Sequence, residues 1–276
     1  MTRCRRAGWT RPAPWRTWPG VLVAAMKDGA PVFYRFAPIQ RAAEVWHAWR
    51  AWTGTVPDEV TSLGRILRLP PLPQVPARLR GRAFALVEAA YLGNAATGAE
   101  LIRPLRRLGP VLDTFAMIPA PALQHLHMDP DQPVPAQGDG AFPADFPAAA
   151  IDAVTAVAGP DAGTPLASIE VRHLGGALAR PAPDGGAQAN IDAGYAMFAA
   201  GFTPTPALAD AVRGHAQVVK DALAPWHASY DYYNFAETPA SAVLPRDSYH
   251  RLQKIKATYD PDQAIIATHP VRPARH

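Results

Sequence analysis

The chain has 276 residues, 49% of them hydrophobic, with 31 prolines, a formal charge of +4 and a single cysteine, Cys4. That much apolar side chain can fill a sizeable core and excludes global disorder, while the prolines predict many loops and short elements. One cysteine excludes an intramolecular disulfide and a cysteine-rich zinc site, and it favours a reducing, cytoplasmic setting.

The positive charge belongs to the ends. Arg3, Arg5, Arg6, Arg11 and Arg16 lie in an N-terminal stretch without an acid, Arg272 and Arg275 lie near the C-terminus, and the residues between carry more acids than bases. Residues 1–20 read as a basic Trp/Arg/Pro-rich tail, solvated and disordered rather than bound to nucleic acid or a membrane. The tail does not have the build of a secretory signal, and no apolar run approaches the ~20 residues of a membrane span.

After the tail, "VLVAAM" and "PVFYRF" predict a hairpin across "KDGA". Pro38 opens a helix in which Ile39, Ala42, Trp46, Trp49 and Thr53 recur at helical spacing, so the tryptophans share a buried face. Residues 60–69 and 82–93 read as strands, Thr97 to Leu108 as a helix, and 109–119 as a third strand of β-branched and aromatic residues. The chain is expected to turn irregular through "DPDQPVPAQGDG" and then form a short helix closed by Gly159.

"PLASIEVRHLGGAL" alternates, with Ile169, Val171 and His173 on one face and Ser168, Glu170 and Arg172 on the other, the pattern of a half-buried strand. A glycine-rich loop leads to the strand "GYAMFAAGF". A helix over 205–223 follows, with Pro206 suited to its first turn. The last helix, "RDSYHRLQKIKATYDP", is expected to be capped by Asp247 or Ser248. Strands and helices mix without a βαβ rhythm, so the predicted class is α+β, an antiparallel sheet covered on one face by helices.

Familiar catalytic devices are absent: no G-x-S-x-G, no H-E-x-x-H and no glycine-rich phosphate loop. "HLHMD" places His125 and His127 two residues apart, a spacing by which a strand could offer two imidazoles to one ion. Asp129-Pro130-Asp131 marks a turn, however, and a surface or hydrogen-bonding role suits the pair better, so no metal is expected. "SYDYYNFAE" (229–237) concentrates three tyrosines and an asparagine. Phenols donate, accept and act as bases when their proton is loosened, and their faces stack on planar groups. From these residues alone, a wet-edge strand explains the stretch as well as a functional site does.

Together "VPDEVTSLGRILRLPPLPQVP", "RPLRRLGPVLDTFAMIP", "HMDPDQPVP", "EVRHLGGALAR", "YYNFAE" and "RLQKIKATYDPD" resemble, in order and spacing, the later part of berberine-bridge-enzyme-like FAD-linked oxidoreductases. The most diagnostic pieces are Y-x-N-[YF] at Tyr232 to Phe235 and K-x-x-Y-D-P-D at Lys256 to Asp262, and the likeness extends from about Val21 to Val271. The resemblance implies a substrate domain (21–245) whose sheet roofs over a flavin, and a C-terminal helix with a flavin-return segment (246–276). It also implies that FAD abstracts hydride from an alcohol, sugar or amine carbon of a small-molecule substrate.

The site residues implied are Tyr232 and Tyr195 for catalysis, Asn234, Phe235, Thr268 and His269 beside the flavin, and Arg172 and His127 at the substrate. Three departures accompany the likeness. The family's FAD-binding half has no counterpart here, so a separate FAD-binding domain would be a partner. Phe235 stands where several relatives have a tyrosine base. "QAIIATHPV" carries Gln263 and Thr268 where relatives have asparagine. The competing expectation is a non-catalytic ligand-binding module of the same fold.

Overall fold

The structure, a computed structural model, describes residues 21–22, 35–127, 132–182, 185–237 and 242–274. The basic tail, Cys4 and most of the expected N-terminal hairpin lie outside these residues.

In chain order the elements are β1 (Val21–Leu22), β2 (Arg35–Pro38), α1 (Ala42–Thr53), β3 (Val60–Arg68), β4 (Ala83–Tyr91), α2 (Ala95–Arg106) and β5 (Met117–Ile118). There follow β6 (Ala136–Ala141), α3 (Ala148–Ala158), β7 (Ser168–His173), β8 (Tyr195–Phe202), α4 (Pro206–Leu223) and α5 (Arg246–Tyr259). A six-stranded sheet runs β2-β4-β3-β7-β8-β6, antiparallel at every pairing, and β1 pairs with β5 as a separate two-stranded ribbon. The fold is α+β, as the mixed element order implied.

Helices α1, α3 and α4 cover one face of the sheet. The α1 stripe is buried throughout, and Trp46 and Trp49 are completely enclosed. Gly64 of β3 is the sheet position beneath them. A Cβ there would stand 3.0 Å from the Trp49 ring and 3.2 Å from Trp46 Nε1, so the strand is bare where the indoles press closest. Trp49 Nε1 donates to Ser62 Oγ at 3.1 Å and Trp52 Nε1 to the Leu101 carbonyl at 2.7 Å, which satisfies two indoles inside an apolar layer. Facing them come Ile66, Val87, Ile169, Val171, Met197 and Ala199 from the strands and Ile151, Val154, Val212 and Val219 from the helices.

Val21–Leu22 pairs with β5, and β2 pairs with β4. Three local expectations are corrected. Residues 109–119 form a strand only at Met117–Ile118. Asp113 accepts from Phe115 N–H at 3.1 Å and from Arg106 Nε at 3.0 Å, so a local Asx turn competes with extension.

Conversely "AQGDGA", read as irregular, is β6. Its Gly140 backbone runs so close to Phe235 that a Cβ would meet that side chain at 2.5 Å. Finally, α5 starts after Pro245 with no side-chain cap, so neither Asp247 nor Ser248 caps it. By contrast, Asn94 caps α2 through Thr97 N–H at 2.9 Å and Thr205 caps α4 through Leu208 N–H at 3.3 Å.

Candidate functional site

The pleat sends alternate residues of each strand to the face opposite α1, α3 and α4. Register places Glu88, Leu63, Arg172 and Ala196 side by side across β4, β3, β7 and β8 on that face. One step along lie Leu86, Arg65, Glu170 and Phe198. Four charged side chains thus share a surface that strand periodicity would normally leave to solvent, yet Arg65, Glu88 and Glu170 are buried.

Burying charge is costly unless each group is paired, and here each is. Arg65 Nε donates to Ser168 Oγ at 2.7 Å, and its Nη1 reaches Glu88 Oε1 at 3.3 Å and the His127 carbonyl at 2.9 Å. Arg172 grips Glu170 Oε1 through Nε at 2.8 Å and Nη2 at 2.7 Å. Glu88 Oε2 lies 2.6 Å from His127 Nδ1, an ion-pair contact whose angles fall outside hydrogen-bond geometry. Burial works against a proton on His127, but contact with Glu88 and the fields of Glu88 and Glu170 outweigh it, and outweigh the opposing Arg65. The imidazole is held above its ordinary pKa.

The tyrosine-rich stretch lies on this face as turns rather than a strand. Phe235 N–H donates back to the Tyr232 carbonyl at 2.9 Å. Tyr232 stacks on Phe142 with ring centroids 5.5 Å apart, and Phe235 meets Phe198 at 4.9 Å. The Arg172 guanidinium sits 4.9 Å from the centre of the Phe235 ring, a cation–π contact. Asp192 N–H donates to the Tyr230 hydroxyl at 3.2 Å.

His227 anchors the start of the stretch. Its Nε2 faces Asp231 Oδ1 at 2.8 Å and its Nδ1 the Ala228 carbonyl at 2.6 Å, so both ring nitrogens meet acceptors. The Asp231 contact is the main cause that holds its pKa above the ordinary value, against the pull of burial.

Between the β4 side and the tyrosine stretch opens a cavity of about 600 Å³. Glu88, Leu63, Arg172 and Ala196 line it from the sheet, with His127, Tyr232 and the Gly175–Gly176 turn around them. Both glycines have positive φ, 118° and 51°, a backbone that side chains resist, so the glycine-rich loop forms a tight turn at the cavity wall.

Of the residues expected in a site, Tyr232, Arg172 and His127 come together at this cavity, and Phe235 packs against Arg172 beside it. Asn234 is exposed at the tip of the turn. His269 is buried, accepts no part in the cavity lining, and places Nε2 3.0 Å from the Tyr233 carbonyl with its ring 4.6 Å from that of Tyr233. The return segment is thereby tied to the tyrosine stretch, while Thr268 is exposed.

Tyr195 is not brought to the cavity. As its register neighbour Ala196 faces the cavity, Tyr195 faces the helices, with its hydroxyl 3.3 Å from Thr53 Oγ1 and its ring against Trp49 and Phe146. Burial pushes its phenol pKa up, the wrong direction for a base. The side chain of His125 and Asp129 lie outside the description. Among the described residues no three His, Cys, Asp or Glu side chains are grouped to hold a metal, and no helix is long and apolar enough to cross a membrane.

Sequence reasoning missed Glu88 and Arg65. Glu88 is a lone charge in "AFALVEAAY", and only strand register shows what it faces.

No family model matches the sequence, and no curated protein does. Solved structures do match. The wild-type BBE-like 1 protein of Physcomitrella patens aligns with TM-score 0.68 at 12% identity over 94% of this chain and 55% of its own. A chitooligosaccharide oxidase aligns with TM-score 0.68 at 13% identity, covering 93% of this chain and 56% of that one. A xylooligosaccharide oxidase from Myceliophthora thermophila, in complex with xylobiose, aligns with TM-score 0.67 at 17% identity, covering 94% and 57%. The chain therefore has the fold of the corresponding part of BBE-like oxidases and spans little more than half their length. The resemblance carried by the sequence motifs is met at the level of fold.

Proposed function

We propose that this chain is the substrate-binding half of an FAD-linked oxidoreductase, with the sheet face opposite α1, α3 and α4 turned toward a flavin held by an FAD-binding domain. The carrying observation is the cavity on that face, where Arg172, His127 and Tyr232 meet. The fit to a flavin is to its planar ring alone. Half-buried Tyr232 at the cavity and its chain neighbours Phe235 and exposed Asn234 offer aromatic rings and a hydrogen-bonding amide within one turn, whereas the sequence has no phosphate-binding glycine motif. When bound, the flavin supplies hydride acceptance from a substrate carbon.

In this reading Asn234 and Phe235 border the ring, and Thr268 and His269 lie on the segment that returns toward it. Arg172 and His127 orient hydroxyls of the substrate. Tyr232 touches the substrate from the wall opposite His127. Tyr195 supports the floor from behind through Thr53. Two aligned structures are oligosaccharide oxidases, and a cavity of this size with charged donors and a stacked phenol suits a sugar unit.

The test is binding followed by redox. Xylobiose or a chito-disaccharide titrated into the purified chain is expected to perturb Arg172 and Tyr232 resonances, and addition of an FAD-binding domain is expected to give a retained flavin band that bleaches with sugar. Sugar binding without any retained flavin would favour the alternative reading, a ligand-binding module.

A further inference from the structure

Glu88 is the most enclosed charged residue described, with 1% of its side chain exposed. If its role were only to neutralise Arg65, one oxygen would suffice, and Oε1 already lies 3.3 Å from Nη1. The second oxygen lies against His127 Nδ1 at 2.6 Å. Arg65 holds the same residue from the other side, donating to its carbonyl at 2.9 Å, and Arg65 is itself fixed by Ser168. Side chains from β3, β4 and β7 therefore converge to place one imidazole that sits on no strand or helix. Nδ1 lies in ion-pair contact with a carboxylate, although outside hydrogen-bond geometry, no contact of Nε2 is found among the described residues, and His127 borders the cavity.

We propose that His127, oriented by Glu88, is a proton-accepting catalytic residue: Nε2 takes the proton of a substrate hydroxyl bound in the cavity. This rests on the reading of the cavity as a substrate site. The hydroxyl O–H bond breaks, an Nε2–H bond forms, and the O–H electron pair stays on the substrate oxygen. The hydrogen and electron pair of the adjacent C–H bond belong to the flavin of the proposed function. A carboxylate behind Nδ1 selects the tautomer with a lone pair on Nε2 and stabilises the imidazolium that results.

The other candidate bases are less suited. Phe235 has no hydroxyl. Tyr232 carries a phenol, which must lose its own proton before it can take one, whereas a neutral imidazole holds a free lone pair. The charged groups facing His127 are Glu88 from β4, Arg65 from β3 and Glu170 from β7, and their combined effect favours the imidazolium.

The experiment uses the full chain without flavin. Imidazole 15N NMR of the wild type above its titration is expected to show neutral His127 as the Nδ1–H tautomer. Glu88→Gln is expected to weaken proton binding at His127 about tenfold. Diethylpyrocarbonate is expected to modify Nε2 of His127, with xylobiose slowing this site selectively.

An Nε2–H tautomer would overturn the proposal, as would a His127 titration unmoved by Glu88→Gln or modification of His127 unaffected by bound xylobiose. If Glu88→Gln does not fold, the wild-type tautomer decides. Failure of FAD to bind under any condition would defeat the oxidoreductase reading while leaving these three results to judge the dyad.

Discussion

The two faces of the sheet are buried in different ways. Against α1, α3 and α4 the strands present Val, Ile, Met and Ala to tryptophan and aliphatic side chains, and of the indoles there Trp49 and Trp52 have local partners while Trp46 Nε1 makes no hydrogen bond. The opposite face presents Arg65, Glu88, Glu170 and Arg172, enclosed beneath an aromatic turn segment and held by one another. The first face is where apolar burial stabilises the fold. On the second, stability is a weak reason for the groups to be there, because buried ion pairs rarely outdo apolar replacements. What such a network does supply is fixed geometry, and it supplies it around the cavity of about 600 Å³.

The largest effect that would sharpen this contrast comes from the helix face. Trp49→Ala should cost about 3–5 kcal/mol, read as a shift in the denaturant midpoint, and should leave no folded population in which sugar binding is selectively altered. On the cavity face, Glu88→Ala should cost on the order of 3 kcal/mol because Arg65 is left buried without its carboxylate. A neutral result in the same denaturation experiment would mean that water or another group already satisfies Arg65.

Arg172→Gln belongs to a different class. Its own side chain is 40% exposed but its partner Glu170 is 8% exposed, so stability should fall by about 1–2 kcal/mol while xylobiose affinity falls about tenfold. An unchanged affinity would break the separation of the faces. Tyr195→Phe should be the mildest of the substitutions, at about 0.5–1 kcal/mol for the lost hydroxyl contact with Thr53, with sugar binding unchanged. A binding defect from Tyr195→Phe alone would return that residue to the site.

The pH dependence gives a further separation. The folded pKa of His127 is raised, so its stabilising contribution is fully present below the unfolded value near ~6.5 and is lost as pH rises through the folded value. His227 acts with the same sign through Asp231. Wild-type stability should therefore fall as pH increases across this window. His127→Gln should flatten part of the decline, and His227→Gln the remainder. A profile rising over the same range would contradict both assignments.

Much of this was legible from residue order. The α1 stripe, the strands at 60–68, 83–91, 168–173 and 195–202, and the helices after Asn94 and Thr205 follow from periodicity and capping. The tyrosine stretch, Arg172 and His127 were also picked out. Residues 109–119 and 136–141 were misread in opposite directions. Asp113 folds an apolar run into a turn, and Gly140 sits in a strand because Phe235 leaves no room for a side chain.

The sequence by itself determined which segments extend or coil and that one strand face could be apolar, since those depend on neighbours a few positions apart. Only the tertiary structure decided which polar residues meet. Glu88, Arg65 and Glu170 are separated along the chain and come together through antiparallel register, a one-residue shift of which would turn each to the opposite face, and His127 joins them from a turn through Glu88 and Arg65.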